Sequence, residues 1–174
     1  MRQDTNEIII NKNRYKVRIA TQEDKAEIIS LYRAAIGSEG CTWSQDYPNE
    51  DTFQMDVEKQ NLFCLMNGEN EIVAALSIDC DETVDALDCW NKQAGKMGEL
   101  SRMVVKSDCR NQGLAPELIK AVMAEMKQRG YASVHYLVSR YHKKALAAYA
   151  KLDFKRVGES DLFGEEWFCY EILL

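Results

Sequence analysis

Cys109-Arg110-Asn111-Gln112-Gly113-Leu114-Ala115-Pro116 links an apolar run, residues 100–105, to a segment whose apolar side chains recur at helical spacing. The pattern predicts a strand, a turn at Gly113, and a helix with Pro116 at one of its first positions, where a missing N–H group costs nothing. The first amides of a helix lack intrahelical partners, and glycine lets an anion come close to them. We therefore expect a phosphate site at this turn, assisted by Arg110. A strand-to-helix turn that needs glycine only for its geometry has the same pattern and stays as the alternative.

The composition favours a single domain over residues 1–174. The chain is 46% apolar, which is enough for one substantial core, and it is short for two domains. It has no run of about 18 apolar residues and no apolar leader, so we expect a cytoplasmic protein that does not bind a membrane. The net charge of −6 argues against broad nucleic-acid binding and leaves room for a cationic substrate. Because the six cysteines include no CxxC pair, we expect no metal site.

Strand-like and helix-like stretches alternate along the chain and predict a mixed sheet covered by helices, an α/β fold of the mixed α+β type. The strand-like stretches are residues 7–10, 15–19, 62–66, 72–79, 98–105, 133–138, 155–159 and 165–172. The helix-like stretches are residues 22–35, 50–60, 116–129 and 143–152, with a short helical turn within 84–93. The last strand holds Trp167, Phe168 and Tyr170; if exposed, it would offer a surface for a homodimer.

Residues 105–119, VKSDCRNQGLAPELI, resemble the coenzyme A signature of the GNAT N-acetyltransferase superfamily, in which Q/R-x-x-G-x-G/A holds the pyrophosphate. Residues 130–139, GYASVHYLVS, and 143–159, KKALAAYAKLDFKRVGE, resemble the family's later strand and its helix ending in Tyr-x-Lys-Leu-Gly-Phe. The resemblance implies the GNAT acyl-CoA N-acyltransferase fold, a mixed and mostly antiparallel sheet of six to seven strands flanked by about four helices. It also implies transfer of an acetyl group from acetyl-CoA to a primary amine of a small molecule or amino-acid derivative, directly within a ternary complex.

The same resemblance implies which residues contact acetyl-CoA. They lie on the strand 98–105, on the turn after it and before the helix 143–152: Met103, Val104, Val105, Arg110, Asn111, Gln112, Gly113, Leu114, Ala115 and His142. The backbone amide of Met103 would face the thioester carbonyl and take a catalytic part. His142 stands where many relatives carry asparagine, and it could bind cofactor, act as an auxiliary base or start the helix. Asp153 replaces the usual helix-ending glycine and is expected in a left-handed turn.

Two further residues are candidates for proton transfer. An alkyl amine with a pKa of about 10 is almost wholly protonated at pH 7, so a base is needed. Glu99 is the candidate, at a position that resembles the catalytic glutamate of the family's histone-acetylating branch; pairing with Arg102 or simple solvation is the alternative. Tyr149 lies at the family position whose hydroxyl protonates the departing thiolate. Its alternative is a core residue with a solvated hydroxyl group.

Glu99-Leu100-Ser101-Arg102 carries a second resemblance, to the Glu-x-Ser-Arg motif of acyl-homoserine lactone synthases and related N-acyl amino acid synthases, which use acyl carrier protein. Strand alternation predicts Glu99 and Ser101 on one face and Arg102 on the other. The intact turn at 110–115 favours a CoA donor. An acyl-carrier-protein-dependent N-acyltransferase and a non-catalytic CoA-binding sensor remain as alternatives.

The loop 37–49 is the predicted acceptor-binding segment, because the loop between the first two helices often walls the substrate site in GNAT proteins. We expect contacts from Trp43, Asp46 and Tyr47. Asp46 would attract an amine by charge and Trp43 by its ring face. In the alternative, Asp46 or Asn49 caps the next helix and Trp43 fills the core.

Overall fold

A single mixed sheet organises the protein, seen in a computed structural model that describes residues 6–174. Its spatial order is β1-β2-β3-β4-β5-β6-β8-β7. The strands are β1 Asn6–Ile10, β2 Asn13–Ile19, β3 Leu62–Met66, β4 Ile72–Asp79, β5 Met97–Val105, β6 Ser133–Ser139, β7 Lys155–Ser160 and β8 Trp167–Leu173. The mixed, mostly antiparallel sheet is confirmed. It has eight strands within the described residues and not six to seven, because all eight strand-like stretches pair, including the N-terminal hairpin.

The helices lie on both faces of this sheet. They are α1 Lys25–Ala35, α2 Glu50–Glu58, α3 Glu82–Asp85, α4 Leu114–Gln128 and α5 Lys143–Tyr149. The described chain thus has five α-helices; the short helical turn predicted within 84–93 lies earlier, as α3, because Asp81 caps it by accepting from the Thr83 and Val84 amides. Asp153 is not left-handed, since α5 already ends at Tyr149 and the chain leaves through hydrogen-bonded turns.

Alternation along the strands divides the core into two main clusters. On β3, Phe63 and Leu65 pack with the apolar side of α4, while Leu62 and Cys64 pack with α1 and α2. Because successive strand residues point to opposite faces, one strand serves both clusters. The apolar spacing that predicts α4 corresponds to its buried residues, which are Leu114, Leu118, Ile119, Val122 and Met126.

The C-terminal strand differs from its prediction. β8 lies between β6 and β7 and pairs with both, so its backbone is not an exposed edge for a second copy. The connection from β6 passes through α5 and β7 before the chain returns, and this return places β8 inside the sheet. Within residues 6–174, no helix has the length and apolar character needed to span a membrane.

Two irregularities in β5 shape the centre of the sheet. β5 and β6 are parallel, and they pair only from Met97 to Glu99 on β5. Beyond Glu99 both strands continue without pairing to each other. On the other edge of β5, Ala75 pairs with Val104 but Ser77 pairs with Ser101, so one β4 residue stands opposite two residues of β5. This is a β-bulge, which leaves the extra residue unpaired and redirects its side chain.

Candidate active site

The main cleft opens where β5 and β6 separate. It has a volume of about 1000 Å³. Residues 99–105 of β5 and 136–139 of β6 form its two inner walls, and the start of α4, helix α5 and the loop after α1 complete it. The size lies at the upper end of the range for small-molecule and cofactor sites.

The turn before α4 has the features predicted for an anion site. Gly113 has a φ of +80° and is the N-cap of α4, and it offers no side chain to satisfy the helix's first N–H groups. These groups are therefore free for a ligand. A Cβ on Gly113 would meet no atom nearer than 4.0 Å, so the glycine is required for its left-handed backbone and not for space.

The predicted residues around this turn are not equivalent. Five line the cleft: Arg110, Asn111, Gly113, Leu114 and Ala115. Arg110 is fixed beside the turn by a 3.1 Å hydrogen bond from Nε to the Val105 carbonyl. The side chain of Gln112 does not reach the cleft, because its amide donates to the Asp108 carbonyl at 3.2 Å. Only the backbone of Gln112 remains available to a phosphate.

Glu99 lies at the point where β5 and β6 part. It is only 7% exposed, and its Oε2 has no hydrogen-bond partner within the described structure. Burial raises its pKa to about 8, and the negative charge of Asp79, its partner on β4, adds to the rise. A carboxyl group of this kind is a stronger base, once ionised, than an ordinary carboxylate.

Arg102 contradicts the prediction that it points away from Glu99 and Ser101. The bulge gives it a φ of +52°, and its side chain turns to the face shared by Ser77, Ser101 and Asp79. Nε and Nη2 each donate to Asp56 at 2.8 Å, and Nη1 donates to Asp79 at 2.6 Å. The prediction from strand alternation failed here because one inserted residue reverses which face of the sheet the following side chains point to.

These contacts also exclude one alternative for Glu99. The guanidinium of Arg102 is taken up by Asp56 and Asp79, with further bonds from Nη1 to the Tyr47 hydroxyl at 3.0 Å and to Ser101 Oγ at 3.2 Å. Glu99 is therefore neither paired with Arg102 nor solvated. The network joins the loop after α1, helix α2 and strands β4 and β5 at one buried cation.

Met103, Val104 and Val105 line the β5 wall of the cleft. Arg102 and Met103 occupy the bulge, which is the feature that frees a backbone group from the ladder. Val104 is buried in the cluster with α1 and α2, whereas Met103 and Val105 pack against the cluster with α4. The valine side chains thus build the core, and only their backbones can face a ligand along the open edge.

Tyr149 lines the cleft from the end of α5. Its ring contacts Tyr136 edge-on, with centroids 4.7 Å apart. Burial raises the pKa of Tyr149 to about 12, so the phenol keeps its proton at neutral pH. The residue thus packs against the core and reaches the cleft, and a protonated hydroxyl at that place is able to donate.

His142 also lines the cleft, and it starts α5. Its Nδ1 accepts a hydrogen bond from the Ala145 amide at 3.3 Å, as an N-cap residue does. Burial lowers the pKa of His142, so it is neutral at pH 7. Gly40 packs against it so closely that a Cβ there would lie 2.5 Å from the imidazole Cγ. Of the three predicted roles, the structure displays helix initiation.

The loop after α1 is only partly arranged as predicted. Trp43 lines the cleft, and its ring packs edge-on against Tyr32 with the ring centroids 5.4 Å apart. Tyr47 also lines the cleft, and its hydroxyl accepts a hydrogen bond from Arg102. Asp46 is exposed and does not line the cleft. Asn49 caps α2 by accepting from the Thr52 amide at 3.0 Å, which is the alternative given for this segment.

Sequence reasoning missed several lining residues. Asp79 ends β4 and Asp81 follows two residues later, and both line the cleft. Phe163 and Glu165, which precede β8, and Trp167, its first residue, also line it. The two aspartates had a signal in the sequence, since they come where the apolar run of β4 ends. The second group had none, because its approach depends on β8 lying next to β6.

Residues 17–154 match the family model described as Acetyltransferase (GNAT) family. No protein of curated function matches the chain in sequence. Among solved structures, a GNAT family acetyltransferase from Streptococcus agalactiae is 16% identical with a TM-score of 0.79, over 97% of this chain and 99% of that one. One from Listeria monocytogenes is 15% identical with a TM-score of 0.77, over 97% and 100%. The ribosomal-protein-S18-alanine N-acetyltransferase of Escherichia coli is 17% identical with a TM-score of 0.68, over 91% and 93%.

Proposed function

The chain belongs to the GNAT acetyltransferase family, and from that premise we propose that it acetylates a primary amine of a small molecule or amino-acid derivative within a ternary complex. The observation that carries the proposal is Glu99. Glu99 is only 7% exposed and lines the cleft, and since its Oε2 has no hydrogen-bond partner in the described structure, its charge has no structural use there. It is suited to receive a proton from a bound ammonium.

The donor side of the cleft fits acetyl-CoA, the cosubstrate that the family uses. The free amides at the start of α4 and the Arg110 guanidinium would hold the pyrophosphate, and the open edge of residues 103–105 would pair with the amides of the pantetheine arm. His142 would border the same arm. The cosubstrate supplies a thioester carbonyl to the amine and leaves as CoA thiol.

The chain's own groups then move two protons. Glu99 Oε2 accepts the proton that the amine must lose before it attacks, and the Met103 N–H donates to the carbonyl oxygen as negative charge develops there. The new N–C bond forms while the C–S bond breaks, the Tyr149 hydroxyl donates its proton to the departing sulfur, and the second proton that the nitrogen loses restores the Tyr149 hydroxyl. Trp43 and Tyr47 would wall the acceptor, whereas Asp46 is too remote from the cleft to do so.

Thiol release from acetyl-CoA, measured over a panel of primary amines, tests the activity. We expect Glu99→Gln to lower turnover strongly without weakening acetyl-CoA binding. If no amine accelerates thiol release while CoA binds, the protein is a CoA-binding sensor and the proposed function is wrong. Faster turnover with long-chain acyl carrier protein than with acetyl-CoA would favour the alternative suggested by the Glu-x-Ser-Arg motif.

The anion turn has its own matched pair of variants. Gly113 and Gly130 have φ angles of +80° and +81°, and neither position leaves an added Cβ in close contact. Alanine should therefore cost each a similar ~1 kcal/mol of backbone strain. Calorimetry should show weaker CoA binding for Gly113→Ala only. Gly130 is the control because it lies at the other end of α4 from the anion turn. Equal CoA affinity in both variants would refute the phosphate assignment.

A further inference from the structure

Cations and carboxylates are unevenly distributed in the cleft. The cations that line it near the anion turn, on α5 and just after α5 are Arg110, Lys144 and Lys151; Glu39, 3.9 Å from Lys144, and Glu165 also line it. The carboxylates at the other end lie on β4, β5 and the chain that follows β4, and they are Asp79, Asp81 and Glu99. One end therefore suits phosphate, and the other suits a ligand that carries positive charge.

Among the described residues that line this acidic end, the cation is Arg102, and it is not available to a carboxylate on the acceptor. Its guanidinium is bound by Asp56 on one side and by Asp79 on the other. Its side chain is only 2% exposed. If Arg102 bound an amino acid's carboxylate, it would have to release the buried Asp56 and the partly buried Asp79, and each would then lack its counter-charge.

The acidic end offers two separate carboxylates to a ligand. The Oε2 of Glu99 has no partner in the described structure. Asp81 uses its Oδ1 to accept from the Thr83 and Val84 amides at the start of α3, and its other oxygen takes no part in that cap. Asp79 is opposite Glu99 across the β4–β5 ladder, and Asp81 lies two residues further along an extended chain, which is about 7 Å.

The neighbouring carboxylates at this end of the cleft affect the pKa of Glu99. Burial is the first cause of the raised pKa of Glu99, and Asp79, Asp81 and Asp85 each add to it. Asp79 is satisfied by Arg102, and Asp85 does not line the cleft. Asp81 is therefore the carboxylate of this group that lines the cleft and is not held by a cation.

We propose that the acceptor is an aliphatic diamine without a carboxylate, with one amine at Glu99 and its second ammonium at Asp81. The proposal rests on the proposed N-acetyltransferase function and specifies its substrate class. Asp81 lies about 7 Å along the chain from Asp79, which is opposite Glu99 across the ladder, so a short alkyl chain suits two nitrogens held at Glu99 and Asp81. Tyr47, whose hydroxyl is fixed by Arg102, lies at the same end and adds an aromatic wall for a cation.

Three amines that share a four-carbon segment form the test: butylamine has one ammonium, putrescine has two, and ornithine has two and a carboxylate on an added carbon. A charged hydrogen bond to the second ammonium should make kcat/KM for putrescine about tenfold higher than for butylamine. Ornithine should be disfavoured relative to putrescine by a similar factor. Equal values for putrescine and butylamine, or for putrescine and ornithine, would overturn the diamine assignment while leaving acetyl transfer intact.

Asp81→Asn locates the second ammonium. Asparagine caps a helix as well as aspartate does, so α3 should persist, and the putrescine-to-butylamine ratio should fall to about two or less. Asp88→Asn is the control, since Asp88 is exposed, lies in the same connection and does not line the cleft. It should leave the ratio unchanged, and an unchanged ratio in Asp81→Asn would overturn the role of Asp81.

A binding measurement separates this inference from the proposed function. Putrescine is titrated by calorimetry into the protein saturated with CoA, where no turnover occurs. If putrescine binds to the wild type and does not bind to Asp81→Asn, the diamine site is supported even if no amine is acetylated. Absence of putrescine binding, together with acetylation of butylamine, overturns the diamine and keeps the enzyme.

Discussion

Replacing Glu99 with glutamine should stabilise the protein at alkaline pH. The pKa of Glu99 is about 8 in the folded chain and 4.5 without the fold's influence. Between these values the unfolded chain releases a proton that the folded chain keeps, so the free energy of unfolding falls as the pH rises. At 1.36 kcal/mol per unit, the part due to Glu99 changes by about 3.5 kcal/mol between pH 5 and pH 8. Glutamine cannot ionise and removes this penalty.

The assay is urea unfolding of the wild type and Glu99→Gln at pH 5 and pH 8, followed by circular dichroism. The unfolding free energy of Glu99→Gln, relative to that of the wild type, should increase by about 3.5 kcal/mol from pH 5 to pH 8. Glu171→Gln provides the control. Glu171 is also 7% exposed, but it accepts bonds from the Asn91 amide, so its replacement should destabilise. A difference for Glu99→Gln that is the same at both pH values would refute a desolvated, unpaired carboxyl.

Three more predictions concern the cleft. In a pH–rate profile, kcat/KM should rise with pH until Glu99 has lost its proton near pH 8. Glu99→Gln should lack the part of the rise that is due to Glu99 and should keep the part that is due to ionisation of the amine. Tyr149→Phe should lower kcat about 10²-fold and leave the affinity for acetyl-CoA unchanged. Tyr141→Phe is the control: Tyr141 is 62% exposed and outside the cleft, so its replacement should change neither kcat nor that affinity. Equal kcat in the two variants would exclude Tyr149 as the acid. Arg102→Met should cost about 3 to 5 kcal/mol in urea unfolding because it leaves Asp56 buried without a counter-charge, against about 0.5 kcal/mol for Arg14→Met at an exposed ion pair. A small cost for Arg102→Met would show that Asp56 is hydrated or protonated.

The parts of the fold that sequence predicted are those fixed by short-range rules. Helix α4 follows from apolar spacing and from glycines at both ends, and the turn at Gly113 follows from the need for a left-handed residue there. Glu99 and Tyr149 were found through their order along the chain, and the structure brings both to the cleft. Their chemical roles are still predictions.

The errors arise where long-range pairing decides the outcome. No local pattern shows that β8 inserts between β6 and β7, so its aromatic residues were expected at an edge. No local pattern shows the bulge at Arg102 either, because its residues are compatible with a regular strand. Asp46 illustrates a third kind of error: its charge suited an amine, but Asn49 supplies the cap of α2 and the loop turns Asp46 outwards.

The bulge at Arg102 also determines how basic Glu99 can be. A positive φ costs a residue with a side chain about 1 to 2 kcal/mol, and the bonds from Arg102 to Asp56 and Asp79 offset that cost. If Arg102 pointed the other way, Asp79 would face Glu99 as an uncompensated charge and raise its pKa further. If the guanidinium reached Glu99 directly, the pKa of Glu99 would fall and the carboxylate would lose its strength as a base. Because Arg102 neutralises Asp79 and leaves Glu99 without a direct partner, the carboxyl keeps an intermediate pKa of about 8, and once ionised near that pH it can take a proton from an amine.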